Sequence, residues 1–293
     1  MTDEIPPGEI LPGDMQPDTG NVEVWSGKDR GDENFPVGSA LIRRDLRRHV
    51  HAYYAFARNA DDIADSPDLL PEDKIARLDT MEAVVLGRRD GGSPSAVKLR
   101  DSLAATGVSV VHATELLIAF RRDATKQRYA TIDELYNYCR YSAVPVGRYM
   151  IDLHGESHEC YAASDALCIA LQVLNHIQDC AKDLEMLDRC YLPQALLDHF
   201  GSSIADVRRA PEAPALRRVF VTLLDRIDRL NQAAAELPEI VRDRRFRLEI
   251  AVILGLSRRL RNRLVYNDPL SRRVKLTKGD AVFSGLAALR HLW

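Results

Sequence analysis

The chain has 293 residues, 46% of them hydrophobic, and a formal net charge of -3, enough for a substantial core and without the basic excess of a nucleic-acid partner. Its five cysteines, Cys139, Cys160, Cys168, Cys180 and Cys190, are odd in number and show no CxxC spacing, which argues against a disulfide frame or a zinc site. No basic leader precedes an apolar run, and no apolar run reaches membrane-spanning length, so the expectation is a cytoplasmic protein.

Residues 1–33 carry Pro6, Pro7, Pro12 and Pro17 among several glycines and lack apolar periodicity, which predicts a disordered or draped tail. Residues 34–293 read as a single domain of helices separated by short breaks. The first strong helix covers 45–64. Pro71, Glu72 and Asp73 open the next, over 72–86. Helices over 95–105 and 111–125 follow. Thr131 and Glu134 have the spacing of a capping box and start a helix reaching about residue 143. Pro145 and Gly147 break it, and it resumes to 154. A long apolar helix covers 162–188. A loop with a short helix spans 200–212, and helices over 216–235, 239–265 and 281–292 complete the chain. No stretch alternates apolar and polar residues with β-branched enrichment, so the fold class is all-α.

Tyr54, Arg58, Asp61 and Asp65 are spaced four, three and four apart and share one helix face. Alone, such a stripe is usually a solvated face. Gln172, Asn175, Asp179 and Asp183 repeat the pattern on a helix that is hydrophobic nearly all round and therefore buried. Buried carboxylates and amides need partners. Two Asp-x-x-x-Asp faces meeting across a cavity would repel unless cations neutralise them, and oxygen-only ligands suit Mg²⁺ on Asp61, Asp65, Asp179 and Asp183. Arg58 is placed to pair with a phosphate or to steady a carboxylate. The chemistry this favours is departure of a diphosphate, with an apolar cavity holding the carbocation left behind and Tyr54 offering it a ring face. Gln172 and Asn175 read either as cavity groups or as satisfied core amides. Asp62 points about 100° away from Asp61, off the metal face.

Three segments carry a family resemblance: Tyr53 to Asp65; Tyr138 to Arg148; and Gln172 to Asp183, followed by Arg189-Cys190-Tyr191-Leu192-Pro193. Together they resemble the squalene/phytoene synthase family across residues 34–278. The resemblance implies the class I isoprenoid synthase fold, a helical bundle around a central cavity. It implies Mg²⁺ as cofactor, diphosphate contacts from Arg58, Arg189 and Arg273, with a salt bridge as the other reading of Arg58 and Arg189 and a plain surface residue as that of Arg273, and cavity roles for Tyr54, Tyr141, Gln172 and Asn175. It extends substrate contact to Asn34, Phe35 and Tyr191.

The opening Glu33-Asn34-Phe35-Pro36-Val37-Gly38-Ser39, the kink Tyr141-Ser142-Ala143-Val144-Pro145-Val146-Gly147, and Gln178 where relatives usually carry Arg are similar to the branch that forms hydroxysqualene. That implies ionisation of presqualene diphosphate, rearrangement of a cyclopropylcarbinyl cation and capture by water. It also implies a presqualene diphosphate synthase upstream and a hydroxysqualene reductase downstream. The segment Leu184 to Arg189 departs from the family by lacking a Lys-Gly-Arg turn, and His176 stands where relatives carry an aromatic or aliphatic residue. It reads as a packing or rim residue, with placement of the quenching water as the alternative. Two other readings stay open: a head-to-head prenyl transferase making presqualene diphosphate, squalene or phytoene, and a non-catalytic assembly protein of the same fold. The arginine-rich last third and the apolar tail 281–293 read as a charge-laced face or as a peripheral membrane contact.

Overall fold

The computed structural model describes residues 20–23 and 41–292. Among these the regular elements are helices, and the β pairing is one isolated bridge between Arg128 and Cys190. The α-helices are α1 (Arg47–Asp65), α2 (Pro71–Val85), α3 (Pro94–Thr106), α4 (Val111–Asp123), α5 (Ile132–Ser142), α6 (Val144–Leu153) and α7 (Tyr161–Leu187), then α8 (Gln194–Phe200), α9 (Ile204–Val207), α10 (Pro214–Ala233), α11 (Leu237–Ile240), α12 (Arg244–Tyr266) and α13 (Lys278–Ala288).

Local chemistry explains most boundaries. Ser93 accepts from the Ala96 amide and Pro94 occupies the first turn of α3, where its missing N–H costs nothing. Thr131 accepts from the Glu134 amide at 3.2 Å, but the Glu134 carboxylate reaches the Ala130 amide and Lys126, so the reciprocal half of the expected box lies one residue upstream. Ala143 separates α5 from α6, and Pro145 sits in the first turn of α6. The helix expected over 239–265 is two elements. Asp243 turns the chain and caps α12 by accepting from Arg245 and Phe246. Helix α13 starts earlier than expected, at a capping box of Thr277 and Asp280. Helix α8 was not read from the sequence, being too short to show a period.

Two of the three hydrophobic cores run along α7. The C-terminal two thirds of α7 pack with α5, α8, α10 and the end of α12, through Leu174, Ile177, Leu184, Phe220 and Leu260. Helices α1 to α4 enclose a second core around Phe56, Ile63, Met81 and Leu117. The start of α7 joins α11 and the start of α12 through Leu167, Leu237, Phe246 and Ile250. A helix apolar on most sides is stable only when surrounded, so α7 becomes the axis of the bundle. Of the expected tail, residues 20–23 are docked. Glu23 accepts from the Ser93 hydroxyl and the Ser95 amide, both at 2.7 Å, and Val22 donates to the Gly92 carbonyl. The remainder of the tail, with Asn34 and Phe35, lies outside the described residues.

Candidate active site

The ends of α1 and α7 form two acidic walls. On α1, Arg58 pairs with Asp61 at 3.2 Å and with Asp62 at 2.9 Å. Asp62 is buried, so it anchors the guanidinium from the side while Asp61 stays partly open. On α7, Asp179 receives Arg273 at 2.8 Å. That arginine sits on the segment after α12, whose Val274 carbonyl accepts from the Gln178 amide. Gln178 is therefore buried and turned away from the acidic face, holding the strip of chain that brings Arg273 over the wall.

The walls face each other. Burial pushes the Asp183 carboxyl up to about 7, and the charges of Asp179 and Asp65 add to the rise. The Asp65 contribution comes from the opposite helix, which places the three carboxylates around one space. Among the described residues Asp183 forms no ion pair.

Beneath the walls lies a second polar layer. Arg189 is buried, donates to Asp65 and to the Asp123 carbonyl at 2.8 Å each, and lies 3.7 Å from the Asp123 carboxylate. Asp123 also accepts from Tyr138 at 2.7 Å and Tyr191 at 3.1 Å. Burial raises its carboxyl to about 6 against the pull of Arg189. His176 stacks on Tyr191 with ring centroids 3.6 Å apart, and burial holds its imidazole neutral down to about 3, helped by nearby Arg189. Its Nε2 has no hydrogen-bond partner.

One to two turns below the walls, α1, α6, α7 and α12 enclose an apolar cavity of about 290 Å³. Tyr53, Tyr54, Gly147, Leu167, Leu171 and Ile253 are among the residues lining it. Gly147 permits the close approach of α6 to α7: a Cβ there would lie 2.5 Å from both Cys168 Sγ and Ser164 Oγ. Tyr53 and Tyr149 stack at 4.0 Å in the wall.

The sequence-expected residues thus separate. Asp61, Asp65, Asp179 and Asp183 share the polar mouth with Arg58 and Arg273, and Tyr54 lines the cavity. Arg189 and Tyr191 lie in the interior beneath the carboxylates, where they tie three segments together instead of presenting to a substrate. Tyr141 lies outside the cavity lining, on the last turn of α5, with the guanidinium groups of Arg122 and Arg140 4.7 and 5.2 Å from its ring centre. Gln172 and Asn175 are half-buried on α7 between cavity and mouth, and neither is among the lining residues. Asp123 and Tyr138 were not picked out from the sequence. A carboxylate at a helix C-terminus, where the dipole disfavours it, was the available signal for Asp123.

Among the described residues no three His, Cys, Asp or Glu side chains converge tightly enough to hold a metal as they stand. The donor set nevertheless fits a hard divalent cation. All donors are carboxylate oxygens, three already draw cationic side chains, and Asp183 is raised by burial and by its carboxylate neighbours.

Comparison with known proteins bears on this arrangement. Residues 28–280 match the family model described as squalene/phytoene synthase. The chain is 44% identical over 271 residues to a hydroxysqualene synthase of Rhodopseudomonas palustris, covering 92% of each protein. A crystal structure of squalene synthase HpnC from Alicyclobacillus acidocaldarius is 32% identical, with a TM-score of 0.69 over 79% of this chain and 89% of that one. A dehydrosqualene synthase crystallised with a ligand shares the fold, with a TM-score of 0.73 at 19% identity over 89% of this chain and 92% of that one.

Proposed function

This chain belongs to the squalene/phytoene synthase family, and from that premise we propose that it converts presqualene diphosphate to hydroxysqualene, releasing diphosphate, within bacterial squalene and hopanoid biosynthesis. The observation that carries the reading is the placing of two acidic walls one to two helical turns above an apolar cavity. The walls suit a diphosphate and the cavity suits a hydrocarbon. At about 290 Å³ the cavity is at the small end for ligand pockets and takes part of a thirty-carbon chain.

Asp61, Asp65, Asp179 and Asp183 would hold Mg²⁺. When bound, the metal supplies positive charge for the negative charge that develops on the departing diphosphate. The protein's own groups do the rest. Arg58 and Arg273 release their carboxylates and turn to phosphate oxygens, for which a guanidinium fork is well shaped. Tyr54 presents its ring to the cation, and the apolar lining keeps water away while the cyclopropylcarbinyl cation rearranges. Water then captures it. A presqualene diphosphate synthase would supply the substrate and a hydroxysqualene reductase would consume the product.

The substrate and product are long hydrocarbons, and α13 supports delivery from a lipid surface. Val282, Phe283, Leu286 and Leu289 are exposed, while Asp280, Ser284 and Ala288 are buried. Lys278 and Arg290 are exposed nearby, and Arg259 lies over the Phe283 ring at 5.2 Å. An outward apolar stripe edged by cations matches an anionic lipid headgroup layer. No described helix is long and apolar enough to cross a membrane.

The deciding experiment is product analysis with presqualene diphosphate and Mg²⁺, with and without a nicotinamide reductant. Hydroxysqualene in both reactions is expected. Squalene formed only with reductant would point to a squalene synthase, and consumption of farnesyl diphosphate without turnover of presqualene diphosphate would replace the reading with head-to-head condensation.

A further inference from the structure

The face that α12 turns into the cavity is Phe246, Glu249, Ile250 and Ile253. Their spacing of three, one and three is that of an inward stripe, and one member is a carboxylate. Glu249 is 2% exposed. Most of the charge on α12 points elsewhere: Arg245 donates to the Leu41 carbonyl, Arg261 pairs with Asp225 and Arg263 with Asp280.

Three other polar groups of the lining do not offer a base. The Tyr53 hydroxyl donates to the His112 carbonyl and the Tyr149 hydroxyl to the His49 carbonyl, each at 3.0 Å. Burial pushes the Cys168 thiol up to about 12, so it stays protonated. Among the described residues that line the cavity, Glu249 is the single carboxylate. It also lies toward the far end of the cavity from the acidic walls. The start of α12 packs with Ala163 and Leu167 at the start of α7, whereas Leu260 and Leu264 pack with Cys180 and Leu184 beside Asp179 and Asp183. A departed diphosphate at the walls is therefore removed from this end.

Resting on the hydroxysqualene-forming reading, we propose that Glu249 is the catalytic base that positions the capturing water and takes its proton. Ionisation sends the C–O electron pair away with the diphosphate. A lone pair of the water oxygen then forms the new C–O bond with the rearranged carbocation. One water O–H bond breaks, its electron pair stays on oxygen, and the proton passes to the Glu249 carboxylate. Cation, water and carboxylate thus become a neutral alcohol and a carboxylic acid, and the acid returns its proton to solvent when product leaves. The negative carboxylate also holds the cation at the point of capture.

The test is the ratio of hydroxysqualene formed to diphosphate released, measured on the full-length chain with presqualene diphosphate and Mg²⁺. In Glu249→Gln, diphosphate release should continue while the hydroxysqualene share falls tenfold or more, the balance appearing as hydrocarbons formed by proton loss. Glu249→Asp should recover part of the alcohol share. An unchanged ratio in a folded Glu249→Gln overturns the proposal. If that variant does not fold, Glu249→Asp gives the same reading, because a displaced carboxylate must lower the ratio. A wild-type protein that releases no diphosphate from presqualene diphosphate sinks the hydroxysqualene reading itself. A wild-type protein that makes hydroxysqualene, beside an unaffected Glu249 variant, sinks only the role of Glu249.

Discussion

His176 shows how much a single buried side chain is set by its surroundings. Its ring lies on Tyr191, and burial keeps it neutral down to about 3. In the unfolded chain the same imidazole takes up a proton near pH 6.5. Between those values the unfolded state binds the extra proton, so stability falls as pH drops through about 6.5 toward 3. His176→Phe keeps the stacked ring and removes the titration. Relative to wild type, its unfolding free energy should therefore improve by about 2 kcal/mol on going from pH 8 to pH 5. Urea denaturation at the two pH values measures this, and a difference that does not change with pH would contradict the neutral buried state. Arg189 is the companion case. A guanidinium 4% exposed and bonded to Asp65 and Asp123 serves as a bracket between α1, α4 and the loop after α7. Arg58 and Arg273, both partly open to solvent, are cations at the mouth.

At the scale of elements, α13 departs from the usual rule. Amphipathic helices bury their apolar stripe, yet this one buries Asp280, Ser284 and Ala288 and exposes Val282, Phe283 and Leu286, with Leu289 exposed just after its end. The reason is geometric. Gly255 on α12 and Ser284 on α13 meet so closely that a Cβ on Gly255 would lie 3.0 Å from the Ser284 side chain. Only small residues fit between the two axes, and the large ones are left outside. The double variant Phe283→Asp, Leu286→Asp should lose co-sedimentation with phosphatidylserine-containing vesicles while keeping turnover of detergent-dispersed substrate. Binding to such vesicles that survives the double variant would remove α13 as the docking element. Helices α1 and α7 show the opposite pattern. Each carries a pair of aspartates one turn apart near its C-terminal end and cavity-lining residues earlier in its length, so setting them across the cavity places a polar mouth over an apolar chamber.

For the whole molecule, the two walls act as a unit. Mg²⁺ with inorganic pyrophosphate should stabilise the protein by about 2.7 kcal/mol at a hundredfold excess over the dissociation constant, a thermal shift of several degrees. Asp61→Ala and Asp179→Ala should each keep their helical circular dichroism, lose that shift and lose turnover by about a hundredfold or more. A shift retained in either variant would overturn a clamp that uses both helices. Two cores share α7 and the third holds α1, so the site is held by elements far apart in sequence. Asp65 and Arg189 are joined across 124 positions, and Asp179 and Arg273 across 94.

What the sequence alone determined was local. A period of 3.6 residues put Asp61 with Asp65 and Asp179 with Asp183, and rotated Asp62 away by about 100°. Caps and prolines marked most helix ends, and three motifs in order identified the family. These follow from interactions within a few residues, which a linear string records. The tertiary structure alone decided which faces meet. It put Arg189 and Tyr191 in the interior on Asp123, Tyr141 between two arginines, Gln178 on the Val274 carbonyl and Glu249 in the cavity wall. Those placements depend on the total burial of several helices and on side-chain volumes such as those at Gly147 and Gly255. No window of neighbouring residues contains that information.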